Sequence, residues 1–285
     1  MFTPPLFCDL VHTYDVFLFD VYGVVHDGQN PIESTLHVMK NLHDHQKIII
    51  LVSNSPLQND ALKEHLLKMN VPLYYQNIYT AGHLTHMALK DHQDPLHTRL
   101  GTYCYFIGEP DDAVILMDTP YSRVDALDEA NFILMTSVES GMTDLTDYDD
   151  VLKEALHFKL PFICANPDLY QCHHDQIALR PGSFANRYQA MGGKVIFHGK
   201  PHRTIYQKIV SHHALTPSRI LVVGDCLTTD IQGAQTMGFD SVLLAGPVVY
   251  RELECPLNES VDKVVHQLKN FRYTPTYVTP YLKWD

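Results

Sequence analysis

The chain has 285 residues, 45% of them apolar, and a formal net charge of −12 at pH 7. That length holds one large α/β domain or two smaller ones with ample core, and the acidic balance disfavours nucleic acid and anionic membrane as partners. No apolar run reaches membrane-spanning length, and the opening "MFTPPLFCDL" lacks the basic and long apolar regions of a signal peptide. The six cysteines show no CxxC spacing and read as free thiols of a reducing cytoplasm. The 18 histidines are spread out or sit in pairs such as His173–His174 and His212–His213, and most of them read as surface residues.

In chain order, the first predicted element is the apolar run "VFLF", which stops at Asp20 and leads into "VYGVVHDG". Asp27–Gly28 in that stretch reads as a tight turn, with His26 and Asp27 as alternative helpers in catalysis. A helical pattern, "PIESTLHVMKNLHDH", starts at Pro31 and places Ile32, Leu36, Met39 and Leu42 on one face. The run "IIILV" then ends at Ser53. From 101 to 193 the design changes, through the alternating "TYCYFIG", then "NFILMTS", the acidic "TDLTDYDDVLKEAL", "LPFICANPD" and "RPGSFANRYQAMGG". After it come "KVIF" before His198-Gly-Lys200, a helix "PHRTIYQKIVSHHAL" with Ile205, Ile209 and Val210 on one face, and "ILVV" before Gly224-Asp225. The helical "TDIQGAQTMG" stops at Gly238, and "SVLLAG" follows. The tail "RYTPTYVTPYLKWD" holds the only Trp and is too apolar to be solvated, so it is expected to pack on the core or on a partner subunit, which leaves a homodimer open.

Continuous short apolar runs, alternating with helices, predict strands buried on both faces of a doubly wound parallel sheet. The stretch 101–193 has strands and helices of its own and the size of a domain. It is read as an inserted α/β domain, with 1–100 and 194–285 forming the core. In such a core, ligands bind beyond the carboxyl ends of the strands, and Asp20, Ser53, Lys200 and Asp225 are all expected there.

Together these residue types fit phosphoryl transfer. A strand-end carboxylate such as Asp20 attacks phosphorus to give an aspartyl-phosphate. Repulsion between two anions then calls for a magnesium ion with oxygen ligands, and for a cation on the phosphate. Asp225 and Asp230 supply carboxylates for the metal, Lys200 the fixed positive charge, and Ser53 hydrogen bonds to phosphate oxygens. The plainer readings are a turn or helix cap for Asp20, Asp230 and Ser53 and a surface lysine for Lys200, while Asn166 and Asp168 in "NPD" either shape a turn or contact the substrate.

The motifs "DVYGVVHDG", "LVSNSP", "HGKPH" and "VVGDCLTTDIQGA", in this order, resemble the four motifs of the haloacid dehalogenase superfamily of hydrolases. "CANPD" and "YQAMGGKVIFHGKP" further resemble its subclass IIA, which includes sugar-phosphate and nitrophenyl-phosphate phosphatases. The resemblance implies a magnesium-dependent phosphatase of small phosphorylated metabolites, with a Rossmann-like core and an inserted α/β cap at 101–193. It implies Asp20 as nucleophile, with the Tyr22 backbone carbonyl as a metal ligand beside Asp225. Ser53 then binds phosphate with Asn54 beside it, Lys200 neutralises nucleophile and phosphate, and Asp230 acts indirectly on the metal or orients Lys200.

One departure matters. Phosphatases of this superfamily carry a second aspartate two residues after the nucleophile, as acid and base; here the residue is Tyr22. A phenol with a pKa of about 10 donates a proton but is a reluctant base near neutrality. Three readings follow: a phosphatase that is slow or recruits another group, a metal-independent dehalogenase-type hydrolase with Asp-x-Tyr-Gly, or a catalytically weak relative that binds a phosphometabolite or a protein. In the insertion, Arg180 is either a contact for an anionic part of the substrate or a surface arginine.

Overall fold

The computed structural model describes residues 6–91, 97, 99–173, 176–256 and 260–285; His174 and the first five residues lie outside them. The strands are β1 (Val16–Phe19), β2 (Ile48–Ser53), β3 (Asn77–Thr80), β4 (Tyr103–Ile107), β5 (Ser122–Val124), β6 (Phe132–Met135), β7 (Phe162–Cys164), β8 (Tyr170–His173), β9 (Gln176–Leu179), β10 (Val195–Phe197), β11 (Ile220–Gly224), β12 (Asp240–Leu244) and β13 (Tyr277–Thr279). The helices are α1 (Phe7–Leu10), α2 (Glu33–Asp44), α3 (Asn59–Lys68), α4 (Ala81–Asp91), α5 (Asp149–His157), α6 (Pro181–Ala190), α7 (Arg203–His213), α8 (Gln232–Met237), α9 (Pro247–Glu252) and α10 (Val261–Leu268). Among the described residues no helix is long and apolar enough to cross a membrane.

Six parallel strands form one sheet in the order β13-β12-β11-β1-β2-β3. The chain winds outward from β1 through β2 to β3, and later from β11 through β12 to β13 on the other side. Strand order therefore reverses between β1 and β11, which is where an open α/β sheet binds its ligand. Both faces of β1 are covered, because alternate residues point to opposite sides. Phe17 and Phe19 pack with Val38, Met39 and Leu42 of α2, while Leu18 packs with Ile205, Tyr206 and Ile209 of α7. This double burial is why "VFLF" is apolar without alternation.

A second parallel sheet has the order β10-β7-β6-β4-β5, and β8 and β9 form a separate antiparallel hairpin. Strand β10, the "KVIF" run, pairs with β7 at Val195↔Phe162 and so does not join the sheet that carries Asp20. An apolar run reports that a strand is buried, not which sheet buries it. The two long helices start later than their prolines, at Glu33 and Arg203. Pro31 is held in a bridge to His26, and the His202 N–H closes a turn on the Gly199 carbonyl. Helix α2 buries Val38 and Thr35 with Met39 and Leu42, leaving Leu36 partly buried. Gly238 ends α8 in the left-handed region, as expected.

The tail is structural. Tyr277–Thr279 is the edge strand β13, Leu282 is buried, and Trp284 packs against the core. The Phe7 and Cys8 N–H groups donate to the carbonyls of Lys283 and Trp284, closing the two chain ends on each other. Nearby, the buried Tyr14 hydroxyl donates to Asp240 Oδ2 at 2.7 Å. Tyr14→Phe keeps the packing and removes this charge-assisted bond, so it is expected to cost about 1–2 kcal/mol. Thermal melting checks this at about 2–4 °C per kcal/mol for a chain of this size; an unchanged melting point would mean that the bond adds nothing net.

Candidate active site

Asp20 and Asp225 emerge side by side at the reversal point, because β1 and β11 are neighbours in register. The Asp20 N–H donates to the Val223 carbonyl at 2.8 Å, which carries the strand pairing up to the carboxylate. Beyond it, Gly23 has φ +84°, and a Cβ there would lie 2.1 Å from Asp225 Oδ2. Only glycine lets the backbone pass that close to the carboxylate.

Lys200 lies in the turn after β10 and reaches the site from the second sheet. Its Nζ donates to Asp20 Oδ1 at 2.5 Å and to Asp230 Oδ1 at 2.7 Å. The ammonium is buried, and burial works against its charge. The carboxylates of Asp20, Asp230 and Asp168 outweigh that and raise its pKa well above the usual lysine value. Burial likewise raises Asp225 well above the carboxylate range and pushes Asp230 up to about 7, with the charge of Asp20 adding to both.

Asp20, Asp225 and Asp230 each bring an oxygen within 4.8 Å of the others'. Asp230 Oδ2 is buried without a hydrogen-bond partner, which a buried carboxylate oxygen does not normally tolerate. Three hard oxygen donors and one orphaned oxygen fit a cation such as magnesium or calcium. Asp230 does not cap its helix. It sits inside the π-helical turn Leu227–Ile231, whose first N–H groups, on Leu227 and Thr228, donate to Glu252 at 2.7 and 2.9 Å. Glu252 is 25 residues away, and no local spacing in the sequence announces it.

Ser53 and Asn54 follow β2 and are both buried. Ser53 Oγ accepts from the Ser55 N–H at 3.1 Å and lines the same cavity as Asp20. The Asn54 amide is fully engaged: Oδ1 accepts from the Lys200 N–H, and Nδ2 donates to the Lys200 carbonyl and to Asp168 Oδ1. Its side chain thus ties three segments together. The cavity has a volume of about 240 Å³, and its walls include Asp20, Ser53, Asp168, Tyr170, Arg180 and Asp225. Arg180 is therefore a cavity residue and not a solvated surface arginine. Asp168, from "NPD", is pushed up to about 6, chiefly by burial; Lys200 opposes the shift and Asp20 adds to it.

Tyr22 lies between this cavity and a larger one of about 490 Å³. Its hydroxyl donates to the Cys172 carbonyl on β8 at 2.9 Å, and burial raises its pKa. The backbone at 22 also bridges to His26. The buried His26 accepts from the Gly28 N–H through Nδ1, and burial lowers its pKa. Asp27 is exposed and builds the turn, its Oδ1 accepting from the N–H groups of Gln29 and Asn30.

Comparison with known proteins agrees with this geometry. A haloacid dehalogenase-like hydrolase family model matches residues 17–120, and a HAD-hydrolase-like model matches 197–283. A 4-nitrophenylphosphatase of Schizosaccharomyces pombe is 25% identical over 272 residues, 88% of this chain and 90% of that protein. A haloacid dehalogenase-like hydrolase from Brucella suis superposes with a TM-score of 0.77 at 28% identity, covering 86% of this chain and 90% of that one. A possible sugar phosphatase from Cytophaga hutchinsonii also gives 0.77, at 20% identity, with 99% and 98% covered. With both matched segments converging on one carboxylate–lysine cluster at the sheet's reversal point, the chain belongs to the haloacid dehalogenase-like hydrolases.

Proposed function

We propose that the protein is a magnesium-dependent phosphatase of small phosphorylated metabolites, acting through an aspartyl-phosphate on Asp20. The observation that carries the reading is Lys200, buried and bonded at once to Asp20 and Asp230 next to Asp225. Phosphatase names among the similar proteins support it. Asp20 attacks phosphorus while Lys200 offsets the negative charge that two approaching anions bring together. Ser53 and the N–H groups after it hold phosphate oxygens. Asp225, Asp20 and the Tyr22 carbonyl would hold the metal, which when bound supplies further charge for the phosphoryl group. Asp230 orients Lys200 through Oδ1 and would act on the metal through Oδ2. Residues 101–193 form the cap in this reading, with Tyr170 and Arg180 on the cavity wall setting substrate choice. The net charge and cysteine usage favour a cytoplasmic protein without nucleic-acid or membrane partners.

The test is phosphate release from a panel of phosphometabolites and 4-nitrophenyl phosphate, in magnesium and in chelator. Activity is expected in magnesium alone. Magnesium at a hundred times its Kd is expected to add about 2.7 kcal/mol to folding stability, and Asp225→Asn to weaken both effects. Equal turnover in chelator would sink the metal-dependent reading and favour the dehalogenase-type one.

A further inference from the structure

We propose that Asp168 is the general acid and base of this site, supplied from the segment after β7 in place of the carboxylate missing at position 22. The inference rests on the phosphatase reading. Its first ground is elimination among the carboxyl, imidazole and guanidinium groups around the cavity and the Tyr22 hydroxyl. The Tyr22 hydroxyl is directed to the Cys172 carbonyl on β8. Asp27 is exposed and gives an oxygen to two turn N–H groups. His26 accepts the Gly28 N–H at Nδ1, which fixes its proton on Nε2 and leaves no lone pair to receive another. His65 is exposed, and Arg180 does not give up its proton. Asp20, Asp225 and Asp230 belong to the metal and nucleophile cluster. Asp168 is the remaining carboxyl on the cavity wall.

The second ground is how Asp168 is held. Asn54 Nδ2 donates to its Oδ1 at 2.8 Å, leaving Oδ2 to carry the proton. The same Asn54 bonds both the N–H and the carbonyl of Lys200, so Asp168 is referenced to the residue that grips Asp20. Burial pushes its pKa up to about 6, near the value that suits a group that must both give and take a proton at neutral pH.

The steps balance. As the Asp20 oxygen–phosphorus bond forms and the ester oxygen–phosphorus bond breaks, Asp168 passes its proton to the leaving alkoxide. Asp168, now a carboxylate, takes a proton from water as the water oxygen bonds to phosphorus. The aspartyl–phosphorus bond breaks, and inorganic phosphate, free Asp20 and protonated Asp168 result.

The test is Asp168→Asn, whose amide oxygen still accepts from Asn54. The variant is compared with wild type in magnesium, after thermal melting shows that it folds. Glycerol phosphate turnover is expected to fall about 10²- to 10⁴-fold. With 4-nitrophenyl phosphate, whose leaving group needs no proton, one equivalent of nitrophenolate should appear in a burst, followed by slow hydrolysis. The decline of wild-type kcat/KM on the alkyl ester above about pH 6 should be absent in the variant. Equal losses on both esters without a burst, or an unchanged pH profile, would reduce Asp168 to a support for Asn54 and overturn the proposal. If Asp168→Asn does not fold, the wild-type profile and Asp168→Glu decide: no alkaline decline, or a glutamate variant whose kcat/KM falls equally on the alkyl and the aryl ester, overturns it. A wild type inert on every ester overturns the phosphatase reading itself, whereas turnover retained by Asp168→Asn overturns this proposal alone.

Discussion

Asp20→Asn is expected to abolish phosphate release from activated and alkyl esters alike, with a loss on the order of 10⁴-fold or more, as for a removed nucleophile. The amide matches the carboxylate in shape, so the strands and the Val223 contact stay in place. What disappears is the negative oxygen that attacks phosphorus in the proposed reaction, and no acid, base or metal substitutes for it. Stability in chelator should change little. The charge of Asp20 raises the pKa of Asp225, Asp230 and Asp168, so its removal relieves repulsion inside a buried cluster, and this offsets the loss of its ion pair with Lys200, which keeps Asp230 as a partner. An inactive protein that melts close to wild type is therefore the expected pair of results. Activity within tenfold of wild type would refute Asp20 as the nucleophile.

Lys200→Met is expected to damage both activity and folding. The lysine is buried, and its Nζ is shared between Asp20 and Asp230. Methionine fills much the same space but leaves buried carboxylates without their cation, a change that costs about 3–5 kcal/mol for a broken buried pair. The pH dependence has a definite sign. Asp230 is already raised to about 7 in the folded chain with Lys200 present, and losing the cation moves it further up. A carboxyl whose folded pKa lies above its unfolded value binds protons more tightly in the native state. Its contribution is present below the unfolded value and is lost as pH rises through the folded one. The deficit of Lys200→Met should accordingly be small near pH 5 and grow through pH 7 and 8. Urea unfolding across that range in chelator measures it. A pH-independent loss under 1 kcal/mol would contradict the charge balance described for this cluster.

Several parts of the molecule were legible in the amino-acid order alone. The runs ending at Asp20, Ser53 and Asp225 are β1, β2 and β11, and their polar ends meet at one rim of the sheet. Continuous burial on two faces leaves a local signature that needs no knowledge of partners. The tail was readable from its apolar content, and it forms strand β13 with Trp284 on the core. Helix starts were read two residues early, because the local preference of Pro31 for a first helical turn lost to its bridge with His26.

What only the tertiary structure decided was pairing at a distance. "KVIF" looks like any core strand, and the choice of β7 as its neighbour comes from the sheet built by residues over 30 positions away. Asp168 and Arg180 had plain alternatives as turn and surface residues until the second sheet and its hairpin placed them on the wall of the Asp20 cavity. Tyr22 meets Cys172 across 150 residues, and Glu252 caps the Asp225–Asp230 loop from 25 residues on. Sequence periodicity records which side chains leave water, since that depends on each residue's own chemistry and its near neighbours. Which distant donor meets which acceptor depends on strand order and packing of the whole chain, and no local pattern carries that information.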